Sequence, residues 1–454
     1  MYRYSATDPR VERGRYFYAP FEGAAFLGAY REGRRTALER LAAVQHSRAV
    51  VGSFAPDSIP SPGEAEVVTA ALLRAGLASD VAAFAPWLTV FIRKFEVARL
   101  LRTGYGRDLR PTDRQEVPLD AYAFLAAFLA RKATADAAKP DLGALSTLLK
   151  VGDLLCYVLQ RGSQALSAEG AAAAAQALTT ELDLVETVMA RPHRNVPVAD
   201  EGRIVWSEET TEPSPRRSAN DRRAALGVTL LAADTARARA YLDLLVANGL
   251  SPSRAIVVEL ASASAAGAAT QPRSTPLFDN TTPLVDALER AAIPTTRLVV
   301  DRFEDESVLR ALERGGTDIV VVAGPPGVLL ARPFFGVAGA RYLHVHPGRL
   351  PAYRGSTQMY YELLAEGRLT ATALFLDEGI DTGSIVATRG FERPADLTTI
   401  DHAFDPWMRA VVLRDVLRAR AAGDVVVGRP QASDKGRTYF VIHPVLRHVA
   451  LLSR

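Results

Sequence analysis

Two histidines one residue apart, His344 and His346, stand in the run Leu343-His344-Val345-His346-Pro347-Gly348-Arg349-Leu350-Pro351. Imidazoles are the side chains best suited to moving protons near neutral pH. Further along, an apolar stretch ends in the acidic, glycine-containing run Asp377-Glu378-Gly379-Ile380-Asp381-Thr382-Gly383. Both blocks read as loops that follow strands, and open α/β sheets place their ligands at the carboxyl ends of strands. Loops after neighbouring strands bring His346 and Asp381 together as an acid–base pair. The same residues offer a second chemistry, because His344, His346 and Asp381 are three ligands of a kind that zinc or iron accepts in metal hydrolases. Arg354, with a guanidinium fork suited to carboxylates and phosphates, either binds an anionic substrate group or staples its own loop.

These side chains need a scaffold, and the pattern from residue 225 onward supplies one. Val228-Thr229-Leu230-Leu231, Ile256-Val257-Val258, Leu298-Val299-Val300 and Ile319-Val320-Val321-Val322 read as strands, with helical stretches at 235–247, 282–292 and 305–314 between them. Strands alternating with helices predict a mostly parallel, Rossmann-like α/β sheet covered on both faces. The first strand runs into Ala232-Ala233-Asp234-Thr235 rather than Gly-x-Gly-x-x-Gly, which disfavours a dinucleotide cofactor. The segment 261–281, rich in Ala, Ser, Thr and Pro, is long for a connection in such a fold.

The two chemical blocks together resemble the folate-dependent formyltransferase family, which includes methionyl-tRNA, glycinamide ribonucleotide and sugar N-formyltransferases. That family's first motif, Asn-x-His-Pro-Ser-Leu-Leu-Pro with a following Tyr-Arg-Gly, is matched by His344-Val345-His346-Pro347-Gly348-Arg349-Leu350-Pro351 and Tyr353-Arg354-Gly355. Its second motif, Asp-x-Gly-x-Asp-Thr-Gly, is matched from Asp377 to Gly383. The resemblance covers about residues 226–400 and implies transfer of a formyl group from 10-formyltetrahydrofolate to an amine. It further implies that His346 donates to the oxyanion or protonates the leaving nitrogen, and that Asp381 orients His346 and accepts a proton through water. Asp318 to Leu330 is similar to the strand and loop that line the family's folate pocket, so Gly324, Gly327, Val328, Asp377 and Gly379 are expected at the donor and Arg354 and Thr382 at the acceptor. The sequence departs from the motif at two positions: His344 stands where the family has Asn, and Gly348 where it has Ser.

The remaining sequence sets the surroundings. Residues 1–190 read as a mostly α-helical domain, with apolar helical spacing over Leu148–Leu159 and alanine- and leucine-rich stretches at 64–78, 119–134 and 171–190. Residues 191–224, mixed in charge with scattered prolines, read as a linker; 225–400 as the catalytic domain; and 401–454 as a helix over Phe404–Arg420 and short strands packed on that domain. The helical domain is left with four roles: capping the site, binding the acceptor, a separate activity, or forming a homodimer. The formal net charge is +3, from 54 basic and 51 acidic side chains, which gives no reason to expect nucleic acid or membrane as a partner. A small-molecule amine, an amino sugar or specialised metabolite, is the expected acceptor; the alternative to an enzyme is a non-catalytic folate-binding protein on the same scaffold. The single cysteine, Cys156, lies in an apolar run and excludes an intrachain disulfide. The start of the chain lacks an apolar signal-peptide core and no uninterrupted apolar run approaches a membrane span, so a cytoplasmic location is expected.

Overall fold

The computed structural model describes residues 23–43, 67–78, 84–105, 110–112, 117–136, 139–161, 166–191, 204–205, 207–208, 226–261, 274–315, 318–325, 327–328, 330–432 and 436–452. Most of the expected long loop 261–281, the aromatic stretch Tyr16–Phe21 and the linker arginines 216, 217, 222 and 223 lie outside the described residues. The chain divides into two compact units, one of residues 1–193 with 440–454 and one of residues 194–439.

The first unit is helical: α1 (Gly23–Ala43), α2 (Thr69–Ala78), α3 (Phe84–Ala98), α4 (Leu119–Thr134), α5 (Leu142–Arg161) and α6 (Ala168–Ala190), completed by a C-terminal helix, Pro444–Leu452. Its core contains an unusual amount of charge. Arg34 of α1 is fully buried and reaches Glu181 of α6 at 2.6 Å and Asp153 of α5 at 2.9 Å. His443, just before the C-terminal helix, closes on the other Asp153 oxygen at 2.9 Å. Glu96 of α3 lies 2.6 Å from both Lys150 and Arg99 and accepts from the Thr147 hydroxyl at 2.7 Å. Such groups survive burial only when paired and hydrogen-bonded. Cys156 is buried here, 3.3 Å from Arg34, and burial pushes its thiol up to about 11. By length and composition Leu142–Leu159 of α5 is apolar enough to cross a membrane, yet 83% of it is buried inside the unit, as a core helix would be.

The second unit is an eight-stranded sheet. Its labelled strands are β1 (Val228–Ala232), β2 (Arg254–Leu260), β3 (Thr295–Val300), β4 (Ile319–Ala323), β5 (Arg341–His346), β6 (Leu369–Phe375) and β7 (Ile385–Phe391). The order is β3-β2-β1-β4-β5-β6-β7, with Ile204–Val205 added beyond β7. The strands from β3 to β5 are parallel, and β6, β7 and the edge strand pair antiparallel. β1 and β4 are fully buried along their length, as β-branched and leucine runs covered on both faces should be. The crossovers are α7 (Ala236–Ala247), α8 (Leu284–Arg290) and α9 (Glu306–Glu313); α10 (Gln358–Glu366) precedes β6 and α11 (Asp405–Ala422) follows β7. α9 packs Val308, Ala311 and Leu312 into a cluster with Leu231, Ile256, Val320, Val322 and Tyr342 of the sheet. The chain reverses its winding between β1 and β4, and such switch points open a crevice at the strand carboxyl ends.

Two expectations are corrected. The region 191–224 is not all linker, because Ile204–Val205 joins the sheet on β7 and Ser207–Glu208 pairs with Val425–Val426. Nor does 401–454 pack as one piece on the α/β unit: α11 and the short strands do, whereas residues 440–454 belong to the helical unit. The periodicity of 444–452 is that of a helix, and its apolar residues Val445, Leu446, Val449 and Ala450 are buried there.

Candidate active site

Strand β5 runs antiparallel to β6, with His346 opposite Thr372 and His344 opposite Leu374. Alternation along a strand puts His344 and His346 on the same face. The loop after β6 then returns Asp381 to that face. Asp381 has φ +53°, a left-handed conformation that aspartate tolerates better than most residues. Its carboxylate accepts the Gly355 N–H at 2.8 Å through Oδ2 and lies 3.3 Å from His346 Nδ1 through Oδ1. The pairing expected from the two loops is therefore present.

His346 is 2% exposed, and its Nε2 is 2.7 Å from the carbonyl oxygen of Tyr353. A carbonyl can only accept, so Nε2 carries a proton. This bond is short and fixes the ring, whereas the Nδ1–Asp381 contact exceeds the ~2.7–2.9 Å of a fully formed charge-assisted bond. Nδ1 is thus the more weakly engaged nitrogen. Gly348 makes room for the anchor: a Cβ there would sit 3.1 Å from Gln358 Cβ and 3.2 Å from both His346 Nε2 and the Tyr353 oxygen. Burial disfavours the Asp381 charge, but the His346 ring, its hydrogen bond and the Gly355 N–H together hold the carboxyl well below the usual carboxylate range.

His344 is half-buried, with Nδ1 3.5 Å from the carbonyl oxygen of Val322 at the end of β4. Burial first, then the cations Arg237 and Arg409, push its ring well below the ordinary histidine range, outweighing the opposite pull of Asp381. Arg237 opens α7 and donates to the Gly324 carbonyl. Its Nε is buried with no partner among the described residues, as is the hydroxyl of Tyr241 one turn on. Arg409 of α11 holds Asp405 through two bonds of 2.8 and 3.0 Å and approaches the Val345 carbonyl at 3.4 Å.

The other expected site residues divide. Gly324 follows β4, and a Cβ there would meet the Phe303 ring at 2.9 Å; Gly327, at φ +81°, faces open space; Val328 is half-buried against the cluster under α9. Asp377 spends one oxygen on the Gly379 N–H at 3.0 Å and the Thr382 hydroxyl at 2.6 Å, so Asp377, Gly379 and Thr382 shape the loop that carries Asp381. A Cβ on Gly379 would lie 2.0 Å from the Thr382 oxygen. Arg354, expected at the acceptor, is turned inward: it is 8% exposed and donates to Gln431 Oε1 at 2.7 and 3.2 Å. Gln431 in turn donates to the carbonyls of Asp381 and Gly383 at 2.8 and 2.7 Å, locking the acidic loop. No motif marks Gln431, Arg237 or Arg409; only the position of Arg237 just after the first strand hints at the site. Among the described residues no three His, Cys, Asp or Glu side chains converge as a metal set.

Val328 and Leu330 are half-buried, Ile380 in the acidic loop is 42% exposed, and a Cβ on Gly327 would meet nothing within 4 Å.

Residues 252–399 match the family model described as formyl transferase. Curated relatives include methionyl-tRNA formyltransferase of Clavibacter sepedonicus, 31% identical over 156 residues, covering 34% of this chain and 49% of that protein. The enzyme of the same name from Thermus thermophilus is 33% identical over 106 residues, 23% of this chain and 34% of that protein. The chain thus spans half or less of the length of these relatives. Among solved structures, phosphoribosylglycinamide formyltransferase from Streptococcus pneumoniae TIGR4 is 17% identical with a TM-score of 0.31, covering 42% of this chain and 97% of that one. Both motifs, one at the end of β5 and the other in the loop after β6, lie inside the segment 252–399 that is similar to the formyl transferase model, and their histidine and aspartate are in contact.

Proposed function

We propose that the α/β unit transfers a formyl group from 10-formyltetrahydrofolate to the amine of a small-molecule acceptor, such as an amino sugar or a specialised metabolite. The contact between His346 and Asp381, at the carboxyl edge of the sheet and within the matched segment, carries this reading. The folate supplies an activated one-carbon unit; the chain supplies alignment and charge. His346, anchored through Nε2, offers Nδ1–H to the negative charge that develops on the formyl oxygen. Asp381 holds that ring and balances its charge, while Gln431 and Gly355 hold Asp381. Val328, Leu330 and Ile380 supply apolar surface for the donor's rings. With 54 basic against 51 acidic side chains, the chain has no excess charge for a phosphate backbone, which supports a small acceptor.

The test begins with calorimetric binding of 5-formyltetrahydrofolate, a stable relative of the donor. Consumption of 10-formyltetrahydrofolate is then followed across a panel of amino sugars and amines. Binding together with amine-dependent consumption is expected, and His346→Ala should abolish consumption while the thermal transition stays in place. Absence of folate binding would refute the reading. Full turnover by His346→Ala would remove that residue from the mechanism.

A further inference from the structure

The amine must lose a proton as it attacks, and both oxygens of Asp381 already face donors, the Gly355 N–H at 2.8 Å and His346 Nδ1 at 3.3 Å. We propose that His344, at the position where the family carries an asparagine, is the proton acceptor for the attacking amine, with Nδ1–H turned to the Val322 carbonyl and Nε2 left as a free lone pair beside His346. This rests on the formyl-transfer reading and assigns the proton within it.

The geometry distinguishes the two side chains. Asparagine presents an N–H donor to a neighbouring oxygen; a neutral imidazole whose Nδ1–H faces a carbonyl presents an acceptor instead. Val322 O is an obligate acceptor 3.5 Å from Nδ1, a long contact that favours the Nδ1–H tautomer, while Nε2 has no hydrogen-bond partner among the described residues. The charged groups around the ring come from four elements: Arg237 on α7, Arg409 on α11, His346 on β5 itself, and Asp381 on the loop after β6. Burial first, then two arginines against one carboxylate, keep the resting ring neutral, so its lone pair is open to a proton at physiological pH.

Once protonated between those arginines, the same ring gives its proton up readily. The steps balance. As the amine nitrogen bonds to the formyl carbon, one amine proton passes to His344 Nε2 and the carbonyl π pair moves to oxygen. When that pair returns, the bond from carbon to the donor's nitrogen breaks, and this nitrogen takes the departing pair and the proton from His344. A formamide and the unformylated folate result. His346, anchored by the Tyr353 carbonyl, remains the donor to the oxygen.

The test reads the ring directly in the full chain. Nitrogen-15 spectra of histidine-labelled protein, with the His344 signals assigned by their loss in His344→Asn, should show a neutral Nδ1–H tautomer at pH 7. Diethyl pyrocarbonate, which acylates accessible neutral imidazoles, should modify His344, read by mass spectrometry. Saturating 5-formyltetrahydrofolate should reduce that modification at least tenfold. An imidazolium or an Nε2–H tautomer at pH 7, or modification unchanged by a folate that calorimetry shows to be bound, overturns the assignment. If 5-formyltetrahydrofolate does not bind at all, the formyl-transfer reading fails instead, and the assignment of the proton falls with it.

Discussion

Replacing Glu96 with glutamine removes one charge and almost no volume from the helical unit, and the structure makes its cost calculable. Glu96 is the single carboxylate between two cations, with Lys150 Nζ at 2.8 and 2.6 Å from its two oxygens and Arg99 at 2.6 Å. Burial disfavours its charge, but Lys150 and Arg99 together hold its carboxyl below the ordinary range. Lys150 is fully buried and also donates to the Val441 carbonyl at 2.6 Å; desolvation, aided by repulsion from Arg99, brings it down to about 8. Glutamine leaves two buried cations facing an amide. Breaking a buried pair by removing one partner costs about 3–5 kcal/mol. For a unit of this size that is roughly 2–4 °C per kcal/mol, hence a fall in Tm of about 6–20 °C.

The pH dependence supplies an internal check. A carboxylate whose folded pKa is lowered contributes stability that is present above its unfolded pKa of 4.5 and is lost as pH falls through the folded value. The gap between wild type and Glu96→Gln should therefore narrow below about pH 5, and narrow again toward alkaline pH, where Lys150, already down to about 8 beside Glu96, sheds its charge more readily in the variant. Adding Lys150→Met to Glu96→Gln should recover part of the loss by removing one unpaired cation. Thermal melts of the full chain, followed by circular dichroism at 222 nm, measure all three. A loss below about 1 kcal/mol for Glu96→Gln, or a gap that stays constant down to pH 3, would refute the reasoning.

Two further predictions concern the site. Asp381→Asn keeps the left-handed backbone and an oxygen for the Gly355 N–H but discards the charge facing His346, so folate binding should persist while amine-dependent turnover falls about 10²–10⁴-fold; turnover within tenfold of wild type would contradict the role given to the pair. Gly383→Ala places a methyl group 1.8 Å from the Phe375 carbonyl oxygen, a backbone atom that cannot yield cheaply. It should cost about 1–3 kcal/mol and loosen the loop that carries Asp381, raising proteolytic cleavage within 377–383; an unchanged melt and digest would count against it.

The sheet was legible because unbroken β-branched runs such as Ile319–Ala323 and Val228–Ala232 have few alternatives to a doubly covered parallel strand. Both motif blocks were legible, but strand adjacency alone did not place His346 on Asp381: β6 runs antiparallel to β5 and ends beside Leu343, and the loop folds back to bring Asp381 to His346. What the sequence hid were the residues that arrive from afar by packing. Gln431 locks the acidic loop from a segment that reads as tail, and Arg409 reaches β5 from one face of a helix. Arg354 was equally suited to a ligand or a staple, and only the position of Gln431 decides for the staple. The edge strand Ile204–Val205 is too short and its surroundings too polar to show periodicity. The helix at 444–452 could be read from its spacing, but not the unit in which it packs.

That last segment sets an order of events during synthesis. The helical unit is split in sequence, with the whole α/β unit between its two parts. The ribosome therefore releases all of the α/β unit before residues 440–454 emerge, and the unit that begins first is completed last. Until His443 arrives, Asp153 lacks its imidazole partner and Lys150 lacks the Val441 carbonyl, so the nascent helices hold charged groups they cannot yet seal away. A chain truncated after Tyr439 should therefore hold a folded α/β unit alongside an open, chaperone-accessible helical one.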